Sequence, residues 1–99
     1  MTFARIDGDT QTILRVAGHL DAMTAPEIMS TIDAIVEDGR QHVVVDLSEL
    51  TLIDSSGVAA IVALYKRVRA RGGSVTVSGA RDQPLSIFRL LRMDRVFSM

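Results

Sequence analysis

Asp54-Ser55-Ser56-Gly57 concentrates more chemistry than any other stretch of the chain: two adjacent hydroxyls, a carboxylate just before them and a glycine just after. Val43-Val44-Val45 upstream reads as a buried strand, and Val58 to Tyr65 downstream reads as an apolar helix. The four residues therefore fall where a helix begins. A helix start carries unpaired backbone N–H groups and the positive end of the helix dipole, so it favours an anion. Two readings follow, and the residues alone leave both open. Asp54 or Ser55 caps the helix, Ser56 fills its first turn and Gly57 permits close packing. Alternatively, one serine carries a phosphate. Two neighbouring serines where one cap suffices is the feature that the first reading does not explain.

Other chemistries are poorly served. The 99 residues contain two histidines, His19 and His42, and no cysteine, which removes disulfides and thiolate chemistry. Ser55 and Ser56 lack the G-x-S-x-G elbow that exposes a nucleophile. No metal motif, P-loop or G-x-G-x-x-G is present, so neither a metal nor another cofactor is expected. Asp46 and Asp54 are a conceivable carboxylate pair, but a solvated strand end and a cap explain them. The sequence points away from an enzyme.

Composition is 47% hydrophobic and 23% charged, ordinary for one folded domain. Net charge is −1, which argues against nucleic acid as a main partner. The charge is unevenly placed. Residues 1–54 hold ten acidic and three basic side chains, and residues 55–99 hold two acidic and eight basic. Lys66, Arg67, Arg69 and Arg71 spread around a helix at ~100° per residue and sit near its C-terminus, where cations are favoured in any case. No apolar run approaches the ~20 residues of a membrane span. The N-terminus lacks the layout of a signal peptide. The expectation is a cytoplasmic protein with no membrane partner.

The elements that must position the serines follow from periodicity. Phe3 to Ile6, a turn at Asp7-Gly8-Asp9 and Thr12 to Ala17 predict an antiparallel hairpin. Gly18 to Met23 reads as a polar-edged loop. Thr24 and Glu27 predict a capping box for a helix running to about Asp38, with Ile28, Ile32, Ile35 and Val36 inward and Gly39 as its stop. Val43, Val45 and Leu47 mark one face of the next strand. A short polar connection then leads to a helix from about Ser56 to Arg71, apolar almost all round in its first half. Ser74 to Ser78 is another strand, with Val75 and Val77 inward. Pro84 to Arg92 is a third helix, burying Leu85, Phe88 and Leu91 or Ile87, Leu90 and Leu91. Val96 and Phe97 would begin one more strand. This alternation predicts an α/β domain: a mostly parallel sheet of four to five strands, an N-terminal antiparallel hairpin, and helices mainly on one face.

DLSELTLIDSSGVAAIVALYKRVRARGG, from Asp46 to Gly73, resembles the central signature of the STAS domains of bacterial anti-sigma factor antagonists. GHLDAMTA (Gly18 to Ala25) and LSIFRLLRMDRVF (Leu85 to Phe97) are similar to that family's loop after the second strand and to its last helix and strand. The resemblance implies a partner switch. The unmodified antagonist binds an anti-sigma factor serine kinase and so frees the sigma factor. The kinase phosphorylates the second serine, Ser56, with Ser55 the second choice, and a serine phosphatase reverses the step. Asp21 and Asp54 would occupy the acidic positions flanking that serine. The partner-binding set would be Asp21, Thr24, Asp54, Ser55, Ser56 and Gly57. Family members usually continue into a further helix, so the resemblance implies a domain over 1–99 without it, or a sheet edge finished by a partner or a second copy. That leaves homodimerisation open. From another functional class, the same fold serves as a non-catalytic structural subunit of transporters or signalling scaffolds, where the serine pair is often lost.

Overall fold

Strict alternation of buried and open positions builds the central strand, β2 (Thr12–Leu20). Thr12, Leu14, Val16 and Leu20 are buried, while Arg15 and His19 face solvent. The computed structural model, which describes residues 1–99, pairs β2 antiparallel with β1 (Thr2–Asp7). On the parallel side, Thr12 to Arg15 pair with β3 (His42–Asp46), which in turn pairs with β5 (Ser74–Ser78). Val43, Val45, Val75 and Val77 extend the buried face across these strands. Arg15, Thr76 and Ser78 lie exposed on the opposite face. The expected mixed sheet with an N-terminal hairpin is thus present.

Two strand assignments change. β2 continues through Gly18, His19 and Leu20, residues expected to form a loop, because β4 (Leu50–Ile53) pairs with them in parallel. β4 replaces the expected polar connection and makes the sheet five-stranded. Its signature is weak because a register shift at Gly18/His19 interrupts the alternation. Leu50 and Ile53 are buried, with two open residues between them. The other change is at the chain's end, where Val96 and Phe97 form no strand. Residues 91–98 fold as turns, with the Phe97 N–H donating to the Met93 carbonyl at 3.2 Å. Phe97 is worth more as a plug. Its ring meets Tyr65 edge-on at 5.3 Å and Phe88 at 5.9 Å, and it is 2% exposed.

The helices are α1 (Ala25–Glu37), α2 (Ser55–Ala70) and α3 (Asp82–Leu90). The inward set expected for α1 (Ile28, Ile32, Ile35 and Val36) is buried as read. Its capping box does not form. Thr24 occupies the cap position, but its hydroxyl accepts from the Asp21 N–H and donates to the His19 carbonyl instead. In α2, Val58, Ala60, Ile61, Leu64 and Val68 are buried, but Ala59 is exposed and Ala63 only half-buried, so the helix is not enclosed all round. α3 starts two residues earlier than expected and turns Pro84 and Phe88 inward. Leu90 and Leu91, expected inside, are 75% and 40% exposed: Leu90 lies ~200° round the helix from buried Phe88 and so faces away from the core, and α3 stops before Leu91.

If Phe97 is a core plug rather than the start of a strand, Phe97→Ala should destabilise the domain by about 3 kcal/mol. Urea unfolding checks this, and a loss below about 1 kcal/mol would contradict the packing described.

Candidate functional site

Asp54 organises the start of α2. Its backbone is extended (φ −114°, ψ −175°), and one carboxylate oxygen, Oδ1, accepts from the Gly57 N–H at 3.0 Å. The cap is therefore Asp54, and Ser55 is the first helical residue, one position earlier than read from sequence. The other oxygen, Oδ2, accepts from the Ala22 N–H at 3.1 Å, tying α2 to the segment between β2 and α1. One carboxylate thus satisfies two backbone donors from segments 32 residues apart.

Asp21 closes the same segment from within. Its Oδ1 accepts from the N–H groups of Met23 at 2.9 Å and Thr24 at 3.1 Å. The Thr24 N–H above all, then that of Met23, holds the Asp21 carboxyl below the usual carboxylate range despite some desolvation. Beneath the cap, Gln83 bonds both backbone groups of Ile53. Its Oε1 accepts from the Ile53 N–H at 2.9 Å, and its Nε2 donates to the Ile53 carbonyl at 2.8 Å. Sequence reasoning missed Gln83, whose amide acts as a substitute strand edge.

Gly57 is required by space. A Cβ there would lie 2.5 Å from the Leu20 carbonyl oxygen and 2.7 Å from Ile53 Cγ1. The first turn of α2 therefore sits directly on the end of β2. With Asp54 capping, neither serine hydroxyl is needed for the helix start. Ser55 is exposed, and Ser56 is half-buried on the wall of a groove of about 530 Å³ between α1 and α2. Ala25, Pro26 and Met29 form one side and Ala59 and Ala63 continue the other. Met23, 87% exposed, stands on the segment joining β2 to α1. The groove also escaped the sequence reading. Alanine scores as apolar whether it is buried or merely short, and only the α1–α2 packing separates the two cases.

The structure brings Asp21, Thr24, Asp54, Ser55, Ser56 and Gly57 together, joined through Ala22. Other candidates are engaged elsewhere. Asp46 pairs with Arg15 at 3.1 Å and accepts from the Ser48 N–H at 2.9 Å, so it makes no carboxylate pair with Asp54. His42 Nδ1 lies 3.0 Å from Ser74 Oγ, at the N-terminal ends of β3 and β5, away from the start of α2. Three basic residues in and just after α2 also have local duties. Arg67 pairs with Asp33, Arg69 lies over the Tyr65 ring, and Arg71 donates to the Val36 carbonyl. No group of three or more metal-ligating side chains converges, and no helix is long and apolar enough to cross a membrane.

A family model described as "Mlab, STAS domain" matches residues 4–98. The chain belongs to the STAS-domain family. It is 31% identical over 88 residues to an anti-sigma F factor antagonist of Paenibacillus polymyxa, covering 88% of this chain and 73% of the relative. The crystal structure of an anti-sigma factor antagonist from Mycobacterium paratuberculosis superposes with a TM-score of 0.84 at 27% identity, over 97% of this chain and 81% of that one. Unphosphorylated SpoIIAA, another anti-sigma factor antagonist, shares the fold with a TM-score of 0.74 at 18% identity, over 99% of this chain and 100% of that one.

Two predictions test this STAS site. Gly57→Ala should cost about 1–3 kcal/mol, because backbone and core atoms rather than flexible side chains occupy the Cβ position. Asp54→Ala should cost about 1–2 kcal/mol, because it removes both the cap and the tie to Ala22. Denaturant midpoints check both.

The pH dependence has a defined sign. Asp7, Asp21 and Asp46 are all held below the ordinary carboxylate value: Asp7 chiefly by the Arg5 side chain, Asp21 by the Thr24 N–H, and Asp46 by the Ser48 N–H. A depressed folded value means that this stabilisation is complete above the unfolded value and is lost as pH falls through the folded one. The melting temperature should therefore fall progressively below about pH 4. Asp21→Asn, which keeps an acceptor oxygen, should flatten part of that acid limb in a thermal series.

Proposed function

We propose that this STAS domain is a non-catalytic anti-sigma factor antagonist, acting in the cytoplasm on protein partners rather than on nucleic acid. Unmodified, it binds an anti-sigma factor serine kinase. Phosphorylation of Ser56 by that kinase ends the complex, and a serine phosphatase restores binding. The observation that carries this reading is the state of Ser56. Its hydroxyl is spared from capping by Asp54, stands at the positive end of α2, and opens onto an apolar groove.

A phosphate on Ser56 would add about −2 charge beside Asp54 and Asp21. The helix end would favour that charge by roughly 0.3–1 kcal/mol, so the fold survives modification. The phosphate puts a concentrated negative charge on the wall of an otherwise apolar groove, and a partner fitted to the unmodified face loses its contact. The relatives' naming as anti-sigma factor antagonists supports the partner class.

Ser56→Ala should abolish phosphorylation and keep kinase binding. Ser56→Asp should weaken binding while shifting stability little. Because the cap is Asp54, Ser55→Ala should alter stability by less than about 0.5 kcal/mol and still accept phosphate. This replaces the larger loss expected if Ser55 were the cap. Mass spectrometry after incubation with the cognate kinase and ATP, together with calorimetry of the kinase complex, tests the set. Phosphate on Ser55 alone, or on neither serine, would refute the reading.

A further inference from the structure

All three helices end in the same hydrogen-bonded turn, in which the residue after the C-cap is left-handed and donates back into the last turn. In α1 that residue is Gly39 (φ +70°), bonded to the Val36 carbonyl, with Arg40 bonded to Ile35. In α2 it is Gly72 (φ +83°), bonded to Arg69, with Gly73 bonded to Val68. In α3 it is Arg92 (φ +58°), bonded to Arg89 at 3.0 Å, with Met93 bonded to Phe88 at 2.8 Å. A left-handed arginine is strained where glycine is not. Asp82 and Ser98 are the chain's other left-handed residues that are not glycine; of the three helix C-termini, this is the one that holds a charged side chain in the left-handed turn.

The surroundings of Arg92 indicate what that charge is for. Phe97 anchors the segment from Arg89 to Val96 on Phe88 and Tyr65, which fixes it against the core. Leu90, Leu91 and Val96 are exposed on it, interleaved with Arg89, Arg92 and Arg95. The ion pairs of the molecule use Arg5, Arg15, Arg40 and Arg67, and leave these three guanidinium groups without a carboxylate. The result is an apolar knob ringed by unpaired arginines.

Its complement lies on the same molecule. The α1–α2 groove is walled by short side chains that leave room for leucine. Ala22 on its lining is flanked by Asp21 in the chain and bonded to Asp54, and Glu27 is exposed on α1, so the end of the groove near Ala22 is its acidic mouth. We propose that the α3 knob of one copy seats in the α1–α2 groove of a second copy, head to tail, with the arginines facing the acidic mouth. The chain's first half is acidic and its second half basic, with a net charge of only −1, so copies of the chain do not repel one another strongly. The contact is small, so the association is weak and salt-sensitive. Because Ser56 lines the groove, a seated knob also covers its hydroxyl. The proposal stands whether or not a kinase is the partner.

Sedimentation of the full chain tests it directly. From about 10 µM to about 1 mM, the weight-average mass should rise above that of the monomer, and about 0.5 M salt should reverse the rise. Leu90→Asp spoils only the knob and Ala59→Arg only the groove. Both positions are exposed, so the fold is spared. Each variant alone should remain monomeric, and a mixture of the two should form a 1:1 dimer through the one intact knob and the one intact groove. Arg92→Gly should melt at a higher temperature yet dissociate about two- to fivefold more readily. A wild-type monomer throughout the range, self-association that survives both variants, or a mixture that fails to pair would each overturn the proposal.

Discussion

The Asp54 carboxylate is the contact on which the geometry of the site depends. It accepts from Gly57 at the first turn of α2 and from Ala22 between β2 and α1, so it fixes the distance between two elements that share no local sequence. Both donors would otherwise be unpaired backbone N–H groups at chain reversals. A charged acceptor bonded to two of them is stronger than two neutral contacts, and it leaves the neighbouring hydroxyls uncommitted. A serine cap would have taken one hydroxyl out of play. An aspartate cap keeps both serines available, one on the surface and one on the groove wall.

The rest of the fold supports that junction by close approach. Gly57 brings α2 to within contact of the Leu20 carbonyl, and Gln83 of α3 satisfies Ile53 where no further strand could. Behind them the core is continuous. Leu14 and Val16 from β2, Val43 and Val45 from β3, Ile28 and Ile32 from α1, and Ile61 and Leu64 from α2 are all almost fully enclosed. A rigid core beneath a short, hydrogen-bonded connection is an arrangement in which the phosphate proposed for Ser56 would alter the surface without altering the fold.

The positive half of the molecule is built on different terms. Near the start of α2, the carboxylates of Asp21 and Asp54 are engaged by backbone donors. At the end of α3, guanidinium groups and leucines face solvent together, held by the aromatic contacts of Phe97. Aromatic packing there spends core-forming residues on positioning an exposed segment. The left-handed Arg92 shows that the sequence tolerates strain at this end rather than relaxing it with glycine.

Much of this was legible in the residues alone. Alternation in Leu14 and Val16, in Val43 and Val45, and in Val75 and Val77 identified three strands. The spacing of Ile28, Ile32 and Ile35 identified α1, and the Asp-Ser-Ser-Gly stretch identified a helix start with one hydroxyl more than a cap needs. These signals are local, because a two-residue or 3.6-residue period is written into consecutive side chains. Tertiary structure decided what consecutive residues do not encode. β4 is a strand because β2 lies beside it, not because its four residues alternate. Phe97 is a plug because Tyr65 and Phe88 converge on it from distant positions. The choice of Asp54 over Ser55 as the cap, and the division of the alanines of α2 between core and groove, were fixed by what packs against them. Sequence states which groups a segment offers, whereas partners far along the chain determine which of them are used.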